Sequence, residues 1–115
     1  MQGQLILAPL TKGGNLPFRR LCCDYGARVT VGEMAYARML LKGNPVELAR
    51  LKPAANEACF GAQLATNVIQ EGIDAAHLAA QAGATWIDLN CGCPIHGVHT
   101  RKHLVSTPYY AYAHS

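Results

Sequence analysis

Four short apolar runs punctuate the chain at nearly regular intervals. Leu5-Ile6-Leu7-Ala8 is halted by Pro9, Val29-Thr30-Val31 by Gly32, Cys59 to Leu64 follows, and Trp86-Ile87-Asp88-Leu89 leads into a turn rich in Cys, Gly and Pro. Runs this short, bounded by Gly and Pro, read as buried parallel strands. Between them the apolar spacing becomes helical. Asn15 is placed to cap a helix with Pro17 in its first turn, and Phe18, Leu21, Cys22 and Tyr25 recur on one face until Gly26. Arg19 and Arg20 flank that stripe and read as a solvated face. A helical stretch from about Ala35 to Leu41 breaks at Gly43, and Asn44-Pro45 opens a short helix ending at Lys52-Pro53. Thr66-Asn67 are placed to cap an alanine-rich helix running to Gly83, with Val68, Ile69, Ile73, Ala76 and Ala80 on one face.

Strand starts near 4, 28, 58 and 85 lie 24, 30 and 27 residues apart. That is a βα unit three times over and then one more strand, which predicts a parallel α/β fold. A doubly wound sheet could be complete in this length. A (β/α)₈ barrel of ~250 residues would take these as its strands one to four. The chain contains neither G-x-G-x-x-G nor G-x-x-x-x-G-K-[ST], which lowers the odds of a Rossmann or P-loop domain. In either architecture ligands gather at the carboxyl ends of the strands. Here those ends carry Ala8-Pro9-Leu10-Thr11, Glu33-Met34, Gln63 and Asn90 to Pro94.

Composition narrows the classes. The 115 residues are half hydrophobic and 15% charged, enough for one domain around a core. No apolar run approaches the ~18 residues of a membrane helix, and Met1 to Gln4 lack the pattern of a secretory signal. Five cysteines, an odd number, suit reduced thiols in the cytoplasm or nucleus better than a secreted disulfide framework. The net charge of +3 is too mild to argue for nucleic acid by itself. It is unevenly placed, however: eight Lys/Arg oppose seven Asp/Glu up to Pro94, whereas Ile95 to Ser115 carry Arg101 and Lys102 with no acid. The same tail holds four of the five histidines and three of the five tyrosines, which marks an internal boundary near residue 95.

Candidate chemistry concentrates after the last strand. Cys93 lies between Gly92 and Pro94, where the backbone can approach a ligand closely and the strand cannot continue. At a reference pKa near 8.5, ~97% of such a thiol is protonated at pH 7, so it is better suited to donate a proton than to attack. A buried small residue is the plainer alternative. Cys91 and Cys93 form C-x-C with no second pair at zinc spacing, so a metal site built with His96, His99 and His103 is disfavoured. Gln63 and Asn90 are amides at the ends of otherwise apolar strands, suited to the edge of a heteroaromatic ring. Glu33 is open between capping the next helix and facing a pocket.

Leu7-Ala8-Pro9-Leu10-Thr11, Gly14-Asn15-Leu16-Pro17-Phe18-Arg19-Arg20, Gly32-Glu33-Met34-Ala35, Phe60-Gly61-Ala62-Gln63-Leu64 and Asp88-Leu89-Asn90-Cys91-Gly92-Cys93-Pro94-Ile95 form five ordered motifs. Together they resemble the tRNA-dihydrouridine synthases, most closely the eukaryotic branch acting on a variable-loop uridine at tRNA position 47. The resemblance covers residues 4 to 98. It implies that residues 1–98 are the first half of an FMN-binding TIM (β/α)₈ barrel, strands one to four, and leaves 99–115 as a divergent His/Tyr-rich tail, expected to be disordered. It implies reduction of uridine to 5,6-dihydrouridine in tRNA, with hydride from FMN, NADPH or NADH as reductant, and Cys93 as the proton donor. Pro9, Leu10 and Thr11 match the segment along the flavin, Gln63 the amide that bonds its ring, and Asn90 a residue of the shared flavin and base pocket. No metal is implied, and no membrane. Past Ile95 the chain departs from the family pattern, and the loops of later strands have no counterpart. A non-catalytic fragment that binds RNA or a partner, and another FMN barrel of the dihydroorotate-oxidising kind, are the alternatives. A half barrel has unpaired edges, so self-association is expected.

Overall fold

The computed structural model describes residues 3–92. Five parallel strands alternate with four helices: β1 (Ile6–Leu7), α1 (Leu16–Asp24), β2 (Val29–Val31), β3 (Ala35–Tyr36), α2 (Ala37–Leu41), α3 (Pro45–Arg50), β4 (Cys59–Ala65), α4 (Ile69–Gln81) and β5 (Trp86–Leu89). The helix starts follow local chemistry. Asn15 Oδ1 accepts from Phe18 N at 3.1 Å with Pro17 in the first turn of α1. Asn44 Oδ1 accepts from Val46 N and Glu47 N at the head of α3. Gly26, at φ +100°, ends α1: its N–H donates to Cys23 O and that of Ala27 to Cys22 O, the paired bonds of a Schellman stop.

Sheet order decides between the two architectures. β1 pairs β2, β2 pairs β4 through Val29↔Cys59 to Val31↔Gly61, and β4 pairs β5 through Gly61↔Trp86 to Leu64↔Leu89. β3 pairs Leu64 and Ala65 on the same edge of β4 as β2, so β2 and β3 are one track interrupted at residues 32–34. Four tracks therefore stand in chain order, each crossover stepping one place in the same direction. A doubly wound sheet would reverse at a switch point; this wall does not. The chain forms part of a parallel (β/α) barrel.

Helices cover one face of the wall. Ala62 and Leu64 of β4 pack against Leu40, Leu51, Ala75 and Ala79. On the opposite face Gly61 leaves room for the Trp86 indole, which a Cβ at 61 would overlap. Among the described residues no helix is long and apolar enough to cross a membrane.

Four local expectations are corrected. Ala35 and Tyr36 are strand, not helix, because they complete the register against Leu64 and Ala65 before α2 begins. α4 meets the sheet through the small Ala75 and Ala79, which allow close approach, while Val68, Ile69 and Ile73 stay exposed. It has no side-chain cap at Val68; the Thr66 hydroxyl instead accepts from Val68 N in the preceding turn. On α1, Phe18, Leu21 and Tyr25 are exposed and Arg19 is the buried residue. Its guanidinium turns inward to Glu57 at 2.8 Å and lies 4.6 Å from the centre of the Phe60 ring. Arg20 is exposed, as expected.

Candidate functional site

The carboxyl rim of the wall carries a polar ladder across β4 and β5. Gln63 is a register partner of Asp88, so in a parallel pair their side chains leave the same face of the sheet. Gln63 Nε2 donates to Asp88 Oδ2 at 2.6 Å, and its Oε1 accepts from Asn90 Nδ2 at 3.3 Å. Asn90 follows Asp88 by two positions and returns to the same face. Its own Oδ1 accepts from Gly92 N at 3.2 Å, and its backbone N–H donates to Leu64 O at 2.9 Å. The result is a fixed row, Asp88–Gln63–Asn90, leading into the turn that precedes Cys93. Gln63 is buried, so its amide is held rather than solvated.

The loop after β1 reaches the same rim from the other side of the β2 track. Leu10 O accepts from Gly13 N at 3.1 Å and Gly14 N at 2.6 Å, a tight turn in which Leu10 stays exposed. A Cβ on Gly14 would come within 2.9 Å of Leu10 O, so the turn closes this tightly only without a side chain there. Glu33 settles the orientation of this loop: its Oε1 accepts from Lys12 N at 2.9 Å, at a residue with φ +61°. Arg50 stands behind it, 3.6 Å from Glu33 Oε1, and donates to Met34 O at 2.9 Å and Glu47 Oε1 at 2.6 Å. Glu47 Oε2 accepts from Tyr36 N at 2.7 Å. One network thus ties the β1 loop to the ends of β2 and β3.

Of the residues the sequence singled out, Gln63 and Asn90 are joined by a hydrogen bond, and Pro9, Leu10 and Thr11 lie on the β1 loop. Cys93 and His96, His99 and His103 lie outside the described residues, as does the 99–115 tail. Glu33 caps no helix; it anchors the β1 loop. Asp88, Arg50 and Glu47 escaped sequence reasoning as site residues. A lone acid in the apolar strand Trp-Ile-Asp-Leu, with the parity of Asn90, was the available signal for Asp88.

Residues 6–104 match the family model described as dihydrouridine synthase (Dus). The chain belongs to the dihydrouridine synthase family. It is 44% identical over 99 residues to a Cryptococcus neoformans protein named tRNA-dihydrouridine(47) synthase [NAD(P)(+)], an alignment covering 82% of this chain and 14% of that protein. It is 43% identical over 102 residues to the human protein named tRNA-dihydrouridine(47) synthase [NAD(P)(+)]-like, covering 88% of this chain and 16% of that one. A Xenopus tropicalis protein of the same name is 44% identical over 101 residues, with 87% and 16% covered. The chain thus spans about a sixth or less of the length of these dihydrouridine synthase relatives.

Proposed function

We propose that this chain carries the N-terminal part of a flavin-dependent tRNA-dihydrouridine synthase, which reduces uridine in tRNA to 5,6-dihydrouridine. The observation that supports the reading is the Asp88–Gln63–Asn90 row on the rim. The edge of a flavin ring alternates N–H donors with carbonyl acceptors, and a primary amide offers both kinds of partner. The exposed Leu10 is an apolar surface suited to the ring face. These residues fit the ring of FMN. Pro9, Leu10 and Thr11 would lie along it, Gln63 would bond its edge, and Asn90 would stand between flavin and substrate base.

When bound, FMN reduced by NADPH or NADH supplies a hydride to C6 of the uracil. Saturating the C5=C6 bond then requires one proton at C5. A neutral thiol holds that proton at pH 7, which suits Cys93 as donor. The β1 loop, tied through Glu33 to Arg50, keeps its side of the pocket in place while the base enters. The base must leave its stack in the folded tRNA to reach the rim. Basic residues would carry phosphate contacts, and tRNA as substrate implies an intracellular setting.

The experiment is to purify the chain, release any flavin by denaturation and identify it, then compare wild type with Cys93→Ala on unmodified tRNA. Stoichiometric FMN in both, with dihydrouridine formed only by wild type, supports the proposal. Turnover unchanged in Cys93→Ala removes the proton-donor role. A second reading, a flavin-free fragment that binds RNA or a partner, draws on β1 and β5, each paired on one side only among the described residues. Absence of flavin after reconstitution, with tRNA still bound, selects it.

A further inference from the structure

The polar row on the rim has a direction, and its two ends set it. At one end stands the backbone N–H of Gly92, which can only donate; at the other stands the Asp88 carboxylate, which can only accept. A primary amide can face either way, but between these ends a single arrangement makes every bond. Gly92 N donates to Asn90 Oδ1 at 3.2 Å, Asn90 Nδ2 to Gln63 Oε1 at 3.3 Å, and Gln63 Nε2 to Asp88 Oδ2 at 2.6 Å. Turning either amide over would set donor against donor on one side of it and acceptor against acceptor on the other.

The Asp88 bond is the shortest of the three, and it is charge-assisted, a kind roughly twice as strong as a neutral bond. The acceptor comes from the sheet itself, since Asp88 is the register partner of Gln63 across β4 and β5. Among the described residues no Lys or Arg pairs with Asp88, and Gln63 is its one hydrogen-bond partner. A charge set into the otherwise apolar strand Trp86-Ile87-Asp88-Leu89 therefore serves that amide.

We propose, resting on the flavin-dependent reading of this rim, that Asp88 is its positioning residue. It holds the Gln63 amide one way round before a ligand arrives, so that a flavin ring edge meets a donor and an acceptor already set. After its two bonds Gln63 keeps one N–H and one carbonyl lone pair to offer. Without Asp88 the amide would turn over or swing to water and have to be ordered again on binding, a cost that preorganisation removes.

Two measurements test this, one of them without flavin. In the ¹⁵N-labelled 115-residue chain, the Gln63 side-chain amide is identified by its loss in Gln63→Met. It should show one proton shifted downfield and slow to exchange with water, unlike the amide of exposed Gln81. Asp88→Leu removes the acceptor and should abolish both features while the far-ultraviolet circular dichroism is unchanged. FMN titrated by the quenching of its fluorescence gives the second readout. Asp88→Leu should weaken FMN binding by roughly tenfold or more, the worth of a hydrogen bond to a charged group. Asp88→Asn loses the charge but keeps a carbonyl acceptor, and should stay within about threefold of wild type. In Gln63→Met, with no amide to orient, Asp88→Leu should change FMN binding no further. Asp88→Ala repeats the series should Asp88→Leu lose its fold.

A Gln63 amide that exchanges as fast as that of Gln81 would overturn the proposal whatever the flavin does. So would equal weakening by Asp88→Leu with and without the Gln63 amide, which makes Asp88 a general support of the fold. Equal weakening by Asp88→Asn and Asp88→Leu overturns it too, because charge rather than orientation would then be the agent. A protected Gln63 amide in a wild-type chain that binds no FMN refutes the flavin reading and the ligand named here, while the hold of Asp88 on Gln63 stands on the spectrum.

Discussion

Two ion pairs of the same chemical type make an internal experiment on burial. Arg19 Nε stands 2.8 Å from Glu57 Oε1, and Arg38 Nε stands 3.0 Å from Glu71 Oε1. The Arg19 and Glu57 side chains are 1% and 0% exposed, whereas Arg38 is 60% exposed. Arg19 also donates to Gly14 O at 2.9 Å and Lys52 O at 2.8 Å, and to Glu57 Oε2 at 3.3 Å. Glu57 accepts in addition from Thr30 Oγ1 at 2.7 Å and Ala54 N at 2.6 Å. Arg19→Met would leave a buried carboxylate with only neutral donors and take the guanidinium donor from two carbonyls. Removing one partner of a buried pair costs about 3–5 kcal/mol. For a domain this small that is a fall in melting temperature of more than about 12 °C, at roughly 4 °C or more per kcal/mol. Arg38→Met should cost under about 1 kcal/mol. Glu57→Gln added to Arg19→Met removes the stranded charge and keeps its shape, so the double variant should recover part of the loss. Urea unfolding followed by circular dichroism at one protein concentration measures five chains: wild type, Arg19→Met, Arg38→Met, Glu57→Gln and the double variant at 19 and 57. Equal losses for Arg19→Met and Arg38→Met, or no coupling between the changes at 19 and 57, would refute the reasoning.

Two further expectations follow from packing and from titration. Gly61→Ala drives a methyl into the indole of Trp86 and should cost about 1–3 kcal/mol, with a shift in the fluorescence emission of that single tryptophan; a spectrum and a stability identical to wild type would mean the strands part without strain. Burial, and then the nearby Glu57 carboxylate, push the Cys23 thiol above its ordinary range. A raised thiol pKa means less thiolate at mildly alkaline pH, so Cys23 should alkylate more slowly than a free cysteine, and its rate should climb at a higher pH. Peptide mapping after timed iodoacetamide treatment over a pH series reads this, and alkylation as fast as free cysteine contradicts it.

What was legible in the chain was local. Asn15 and Asn44 announce helix starts because a cap needs only the next few residues, and Gly26 announces a stop for the same reason. The strand spacing gave the repeating βα unit, and the order of the strands then chose the barrel. Arg19 could not be read correctly, since its partner Glu57 lies 38 residues away and nothing near it in sequence reveals an acid waiting inside. Ala35 and Tyr36 become strand only through the register of β4. The buried face of α4 went to alanines because the sheet selects small side chains for close approach, against a hydrophobicity count that favours isoleucine. At the site, Gln63 and Asn90 stood out as amides in apolar company, whereas Asp88, Glu47 and Arg50 acquire meaning only from what they hold.

The order of the tracks also bears on how the wall is made. Ile6 pairs with Val29, Val29 with Cys59 and Gly61 with Trp86, so each pairing closes over a single βα unit. No described strand has to wait for a partner from the far end of the chain. Sheets that need distant pairings form slowly and expose sticky intermediates meanwhile. This one can grow strand by strand as the polypeptide leaves the ribosome, each new unit docking on the one just finished.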